Sequence, residues 1–86
     1  MPLTADPSGG LVVEQFEGVK FAMFDEKKRV LCRASWEGLQ DRAAQDHADQ
    51  RDVGRTFKKY RTKIENVASE HYDRGEANPL VRSGEF

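Results

Sequence analysis

The sequence predicts an α+β domain: a small, mostly antiparallel sheet packed by two helices. The sheet is a hairpin over 19–34 with flanking short strands; the helices are a short one at 36–45 and a long one at 51–74. Three observations carry this reading. From Val53 to Tyr72, apolar or half-apolar residues fall at Val53, Phe57, Tyr60, Ile64, Val67, Ala68, His71 and Tyr72, in gaps of three and four. At about 100° per residue, positions 53, 57, 60, 64, 67 and 71 share an arc of roughly 80°, one face of a helix. Upstream, Val19, Phe21 and Met23 alternate with Lys20 and Ala22, and Val30, Cys32 and Ala34 alternate with Arg29, Leu31 and Arg33. Period two gives each of these strands one apolar face. The short polar link Asp25-Glu26-Lys27-Lys28 makes the pair an antiparallel hairpin.

The remaining elements follow in chain order. Residues 1–10 carry two prolines and a Gly-Gly pair and read as a flexible N-terminal tail, leaving 11–86 as a single domain. Leu11 to Phe16 is short and β-favouring, and Glu17-Gly18 can turn it back onto the next strand. Ser35 ends the hairpin and caps the first helix, with Glu37 favourable in its first turn. Trp36, Leu39 and Ala43 then present one side to the sheet. The polar segment from Gln45 to Asp52 is a connection, and Asp49 or Asp52 caps the long helix. That helix stops at Gly75, which tolerates positive φ. Leu80-Val81-Arg82 can form a last strand, with Phe86 tucked against the sheet.

Composition bounds the function. Val, Ile, Leu and Phe total 18 of 86 residues, so the core is thin and self-association is plausible. The 14 basic and 15 acidic residues nearly cancel, which gives the whole chain no field for nucleic acid or membrane. One cysteine, Cys32, excludes an internal disulfide and suits a reducing compartment. No apolar run approaches the ~20 residues that span a bilayer, and the first ten residues lack the pattern of a secretory signal. The expected location is cytoplasmic.

Candidate chemistry is sparse. Arg55, Lys58, Lys59, Arg61 and Lys63 form a basic stretch without an acid, and Tyr60 within it could stack on a base. Lys27, Lys28, Arg29 and Arg33 make a second basic island, which could act with the first if both lay on one surface. Helical angles spread the side chains of the first around the apolar stripe, which favours solvated flanks. Cys32 lies on the inward face of its strand; His71 could meet it across the core, but no acid to orient that pair is evident. Asp46, His47, Asp49 and Asp52 cluster without the spacing of a zinc or calcium motif. The glycines match no phosphate-binding loop. We therefore expect no cofactor and no metal. Phe24 and Leu31 remain on the outward strand face, as ordinary exposed residues or as part of a contact surface.

Several segments together carry a family resemblance: V-K-F in the first hairpin strand, R-V-L-C-R-A-S-W-E-G-L-Q-D-R-A at the strand-to-helix step, F-K-K-Y-R-T-K-I-E-N-V-A in the long helix, Y-D-R-G at its end, and L-V-R-S-G-E-F at the terminus. In this order they resemble the short bacterial proteins grouped as domain of unknown function 1488. Over 19–86 the matching positions are Val30, Cys32, Ser35, Leu39, Phe57, Arg61, Ile64, Glu65, Ala68, Gly75, Glu85 and Phe86. Ala34 stands where the family usually has Ile, Gly38 where it has Ala, and the hairpin turn lacks the family's glycine. The resemblance implies a small cytoplasmic α+β bacterial protein and brings no settled chemistry. Within it, Arg61 and Glu65 stand four apart beside the stripe, suited to an ion pair at the core edge or to an anion clamp.

The functional expectation is a non-enzymatic interaction or accessory module with a protein partner or a second copy of itself. The alternative is a nucleic-acid-binding regulator using Arg55, Lys58, Lys59 and Arg61.

Overall fold

Every second residue of the central hairpin must leave water if a helix is to lie on one side of it, and the fold is built on that demand. In the computed structural model, which describes residues 3–6 and 10–86, the elements are β1 (Thr4–Ala5), β2 (Leu11–Glu14), β3 (Gly18–Asp25), β4 (Lys28–Ser35), α1 (Trp36–Gln45), α2 (Val53–Asp73) and β5 (Leu80–Val81). β3 is central. It pairs antiparallel with β4 along its whole length, from Gly18 opposite Ser35 to Asp25 opposite Lys28. Its other side takes β2 at Gly18–Phe21 and β1 at Met23–Phe24, both antiparallel. β5 lies parallel to β4, with Leu80 opposite Arg33 and Val81 opposite Ala34. The result is the expected α+β arrangement, a mostly antiparallel five-stranded sheet with one short and one long helix.

The core gathers on one face of this sheet. Val19, Phe21 and Met23 from β3 and Val30, Cys32 and Ala34 from β4 are all buried there. Leu39 and Ala43 of α1 close over them, as do Val53, Phe57, Ile64 and Ala68 of α2. Phe57 stacks at a tilt on Phe21, ring centroids 5.0 Å apart. Trp36 is half-buried and meets the Phe16 ring edge-on at 5.7 Å.

Helix ends follow the residues available. The Ser35 side chain accepts the Gly38 N–H at 3.0 Å, and Asp52 accepts the Arg55 N–H at 3.1 Å. Asp52 is thus the cap of α2, while Asp49 holds the Arg51 N–H in the turn before it. Gly75 takes φ 104° just past α2, as a helix-ending glycine does. Gly18 is required for a different reason: a side chain there would put its Cβ 1.9 Å from the Ala34 carbonyl oxygen.

Two differences from the sequence reading concern the periphery. Within the expected N-terminal tail, residues 1, 2 and 7–9 lie outside the described residues, but Leu3 is buried and Thr4–Ala5 pairs with β3. The Leu3 carbonyl also accepts the Ser69 hydroxyl at 3.4 Å. A single apolar residue and one open stretch of strand edge suffice for this, and a composition rich in Pro and Gly hides both. Phe86 is buried as expected, but its ring partner is Tyr60 of α2, 6.3 Å away.

Candidate functional site

The residues with chemical potential are already engaged. Cys32 is buried, with its Sγ directed at the Val30 carbonyl oxygen 3.8 Å away. Burial and the nearby Glu65 carboxylate push its thiol up to about 12, so it is no thiolate nucleophile near neutrality. His71 does not turn to Cys32. Its Nδ1 meets Glu76 and its Nε2 meets Glu85 at 2.6 Å, tying the end of α2 to the segments on either side of β5. The Glu76 hydrogen bond outweighs partial burial and, with Glu85, raises the imidazole above its usual range. Both glutamates are correspondingly lowered: Glu76 chiefly by His71, and Glu85 by the Arg82 N–H and His71 against the opposing effect of burial. The acids beside His71 escaped the sequence reading because they come from irregular segments five and fourteen residues away. Only the terminal Glu-Phe pair of the family pattern pointed to one of them.

The aspartate cluster between the helices is likewise structural. Asp46 accepts from the Tyr60 hydroxyl and from Lys59, Asp49 accepts the Arg51 N–H, and Asp52 caps α2. Among the described residues, no group of three or more His, Cys, Asp or Glu side chains is arranged to hold a metal ion.

The basic stretch of α2 does not gather on one surface. Arg55 and Lys58 are exposed. Lys59 is held by Asp46 at 3.0 Å, and Arg61 turns to the core edge, where it meets Glu65 at 3.2 Å and lies over the Phe57 ring. The Arg61–Glu65 contact is the intrahelical ion pair that the spacing allowed.

Besides a polar cleft of about 550 Å³ lined by Asp46, His47, Asp49, Asp52, Arg55 and Lys59, there is the other side of the sheet. Both helices lie on the core side, so the alternate residues of β3 and β4 face outward with no helix over them. Register places Lys20 opposite Arg33, Ala22 opposite Leu31 and Phe24 opposite Arg29. β2 adds Val12 beside Lys20, and β5 adds Leu80 beside Arg33. Leu31 stands 54% exposed at the centre and Val12 57% exposed at the margin, while Phe24 and Leu80 are half-buried. Leu31 separates two shallow clefts. One, of about 380 Å³, is lined by Lys20, Arg33, Asn78, Pro79 and Leu80; the other, of about 340 Å³, by Asp6, Val12, Ala22 and Arg29.

The charges on this face are basic, with acids at its rim. Lys20 is paired with Glu14 at 3.0 Å and Arg33 with Glu17 at 3.6 Å. Arg29 has no ion-pair partner among the described residues. Of this group, the sequence reading singled out Phe24 and Leu31, and Arg29 and Arg33 as part of a second basic island. Lys20, Arg29 and Arg33 carry the same alternation signal, but only the strand register brings them around one leucine.

Comparison with protein families matched residues 12–82 of the 86-residue chain to the family described as protein of unknown function (DUF1488). Comparison with curated proteins and with solved structures found no match. No helix among the described residues is long and apolar enough to cross a membrane. The matched span runs from β2 through β5 and contains both helices, the outward sheet face and His71; the chain belongs to the DUF1488 family.

Proposed function

We propose that this protein is a non-enzymatic interaction module of the cytoplasm that engages another protein through the helix-free face of its sheet. One observation carries the proposal. Leu31, a large apolar side chain in the middle of the longest strand pair, stands more than half exposed between two clefts, one shared with Leu80 and the other with Val12. An exposed apolar side chain beside clefts, ringed by polar groups, has the form of a contact site's centre and rim. The engagement of Cys32, His71 and the aspartates in structural contacts supports a role other than catalysis.

The test compares the parent protein with Leu31→Glu, by light scattering and by capture from extract at matched concentration. The parent is expected to self-associate or to retain a defined protein that the variant releases. A parent that stays monomeric and retains nothing the variant loses overturns the proposal. Binding of nucleic acid through Arg55, Lys58, Lys59 and Arg61 has weaker support, since two of these four are held in ion pairs. Titration with mixed DNA and RNA at low salt, where phosphate contacts are strongest, checks that reading.

A further inference from the structure

The outward face ends at an edge that is half covered. In an antiparallel pair, residues whose backbone groups bond the partner alternate with residues whose groups point away. The Arg33 N–H bonds the Pro79 carbonyl oxygen at 3.0 Å, on the side away from β3. Leu31 and Arg29, two and four residues earlier on the same strand, share that orientation. β5 pairs only with Arg33 and Ala34 and goes no further. The Leu31 carbonyl oxygen takes the Asn78 side chain at 3.2 Å. Beyond it, the Leu31 N–H and the backbone groups of Arg29 face outward with no protein partner among the described residues. An open strand edge of this kind is a template for a further strand.

The side chains beside the edge decide what that strand carries. Arg29 is exposed, and Lys28 precedes it at the start of β4 and Lys27 in the hairpin turn. Arg33 stands at the other end, beside the cleft formed by Pro79 and Leu80. A second copy of this chain adding antiparallel about Arg29, whose backbone groups are both open, would set the two Arg29 side chains opposite one another with Lys28 beside each, since Arg33 is already covered by β5. Like charges directly opposite one another destabilise a strand pair. A strand with carboxylates at those positions gains where the second copy loses. We propose that the edge of β4 from Lys28 to Leu31 receives an acidic, extended segment of another protein. That segment places a carboxylate against Arg29 and an aliphatic side chain in the cleft beside Leu31 and Leu80. This deepens the proposed function and rests on it.

The probes are fluorescent octapeptides: one alternating Asp and Val, its Lys-for-Asp counterpart, and an Asp-Val peptide N-methylated at alternate backbone nitrogens. They are titrated by anisotropy in low salt against the parent, Arg29→Glu and Leu31→Glu, with amide exchange followed at Leu31. The Asp-Val peptide is expected to bind at least about tenfold tighter than the Lys-Val peptide and to lose about tenfold with Arg29→Glu, the scale of one charge-assisted contact. N-methylation should weaken it further, and binding should slow exchange of the Leu31 N–H. Equal binding of acidic and basic peptides, or no loss with Arg29→Glu, overturns the acidic-strand assignment. If either result comes with binding that Leu31→Glu abolishes, the contact face itself still stands. Self-association of the parent that Leu31→Glu removes, with no peptide binding, makes a second copy the occupant and overturns the assignment as well.

Discussion

The two faces of one hairpin have opposite fates. On the inner side, Val19, Phe21, Met23, Val30, Cys32 and Ala34 are each at most 3% exposed. On the outer side, the residues between them leave Leu31 half in water and bring three basic side chains together. The same strands, pairing and turn produce both, so the difference lies in what covers them. The contrast teaches that burial is divided across the sheet: the covered side holds the fold, and the bare side leaves a large apolar residue in water.

The largest effect expected is on the covered side. Phe57 is fully buried and packs on Phe21. Phe57→Ala should cost about 3–5 kcal/mol in denaturant unfolding, through lost burial and the cavity left behind. A domain of this size has a total stability in the lower part of the ~5–15 kcal/mol range, so much of the variant population should be unfolded. A loss below about 1 kcal/mol would mean that α2 is not seated on the sheet as described.

Next comes the His71 cluster, which anchors the end of the covered layer. Its imidazole is raised above the ordinary 6.5, so the stabilisation it adds is fully present below that pH and is lost as pH rises through the raised value. Glu76 and Glu85 are lowered from 4.5, so their share is present above that pH and is lost as pH falls through the lowered values. The cluster therefore stabilises most between about pH 4.5 and 6.5. In thermal unfolding followed across pH, His71→Gln should flatten the decline on the alkaline side and lower the optimum. An unchanged profile would show that His71 is not held by these acids in solution.

How much of this was legible depends on periodicity. α2 and the hairpin announced themselves because Val53, Phe57 and Ile64, like Val19, Phe21 and Met23, repeat with the period of their element. Ser35 was readable as a cap, and the cap of α2 as one of Asp49 and Asp52, because a short polar side chain at a helix start has one main use. The His71 cluster was not readable, since Glu76 and Glu85 reach it from segments with no period. β1 was invisible because two residues carry no pattern. For the outward face, alternation marked Phe24 and Leu31, but its basic ring appears only once cross-strand register is known.

A smaller effect belongs to the turn joining the two strands. Glu26 has φ 55°, a conformation that costs an L-residue roughly 1–2 kcal/mol and glycine nothing. The family resemblance places a glycine in this turn. Glu26→Gly should raise stability by up to about 1 kcal/mol, the strain relief being partly offset by greater freedom in the unfolded chain. A loss on this substitution would mean that the Glu26 side chain contributes more than its backbone costs.

The smallest stability change should come from the most conspicuous residue of the bare side. Leu31→Ser removes an apolar side chain that is more than half exposed and opposite Ala22, so unfolding free energy should move by no more than about 0.5 kcal/mol. Its meaning comes from being set beside Phe57→Ala. A leucine that the fold does not need is the residue the proposed contact would use. If Leu31→Ser instead costs as much as a core truncation, then Leu31 belongs to the fold. The two faces would then differ in degree only, and the outward face would lose its standing as a contact surface.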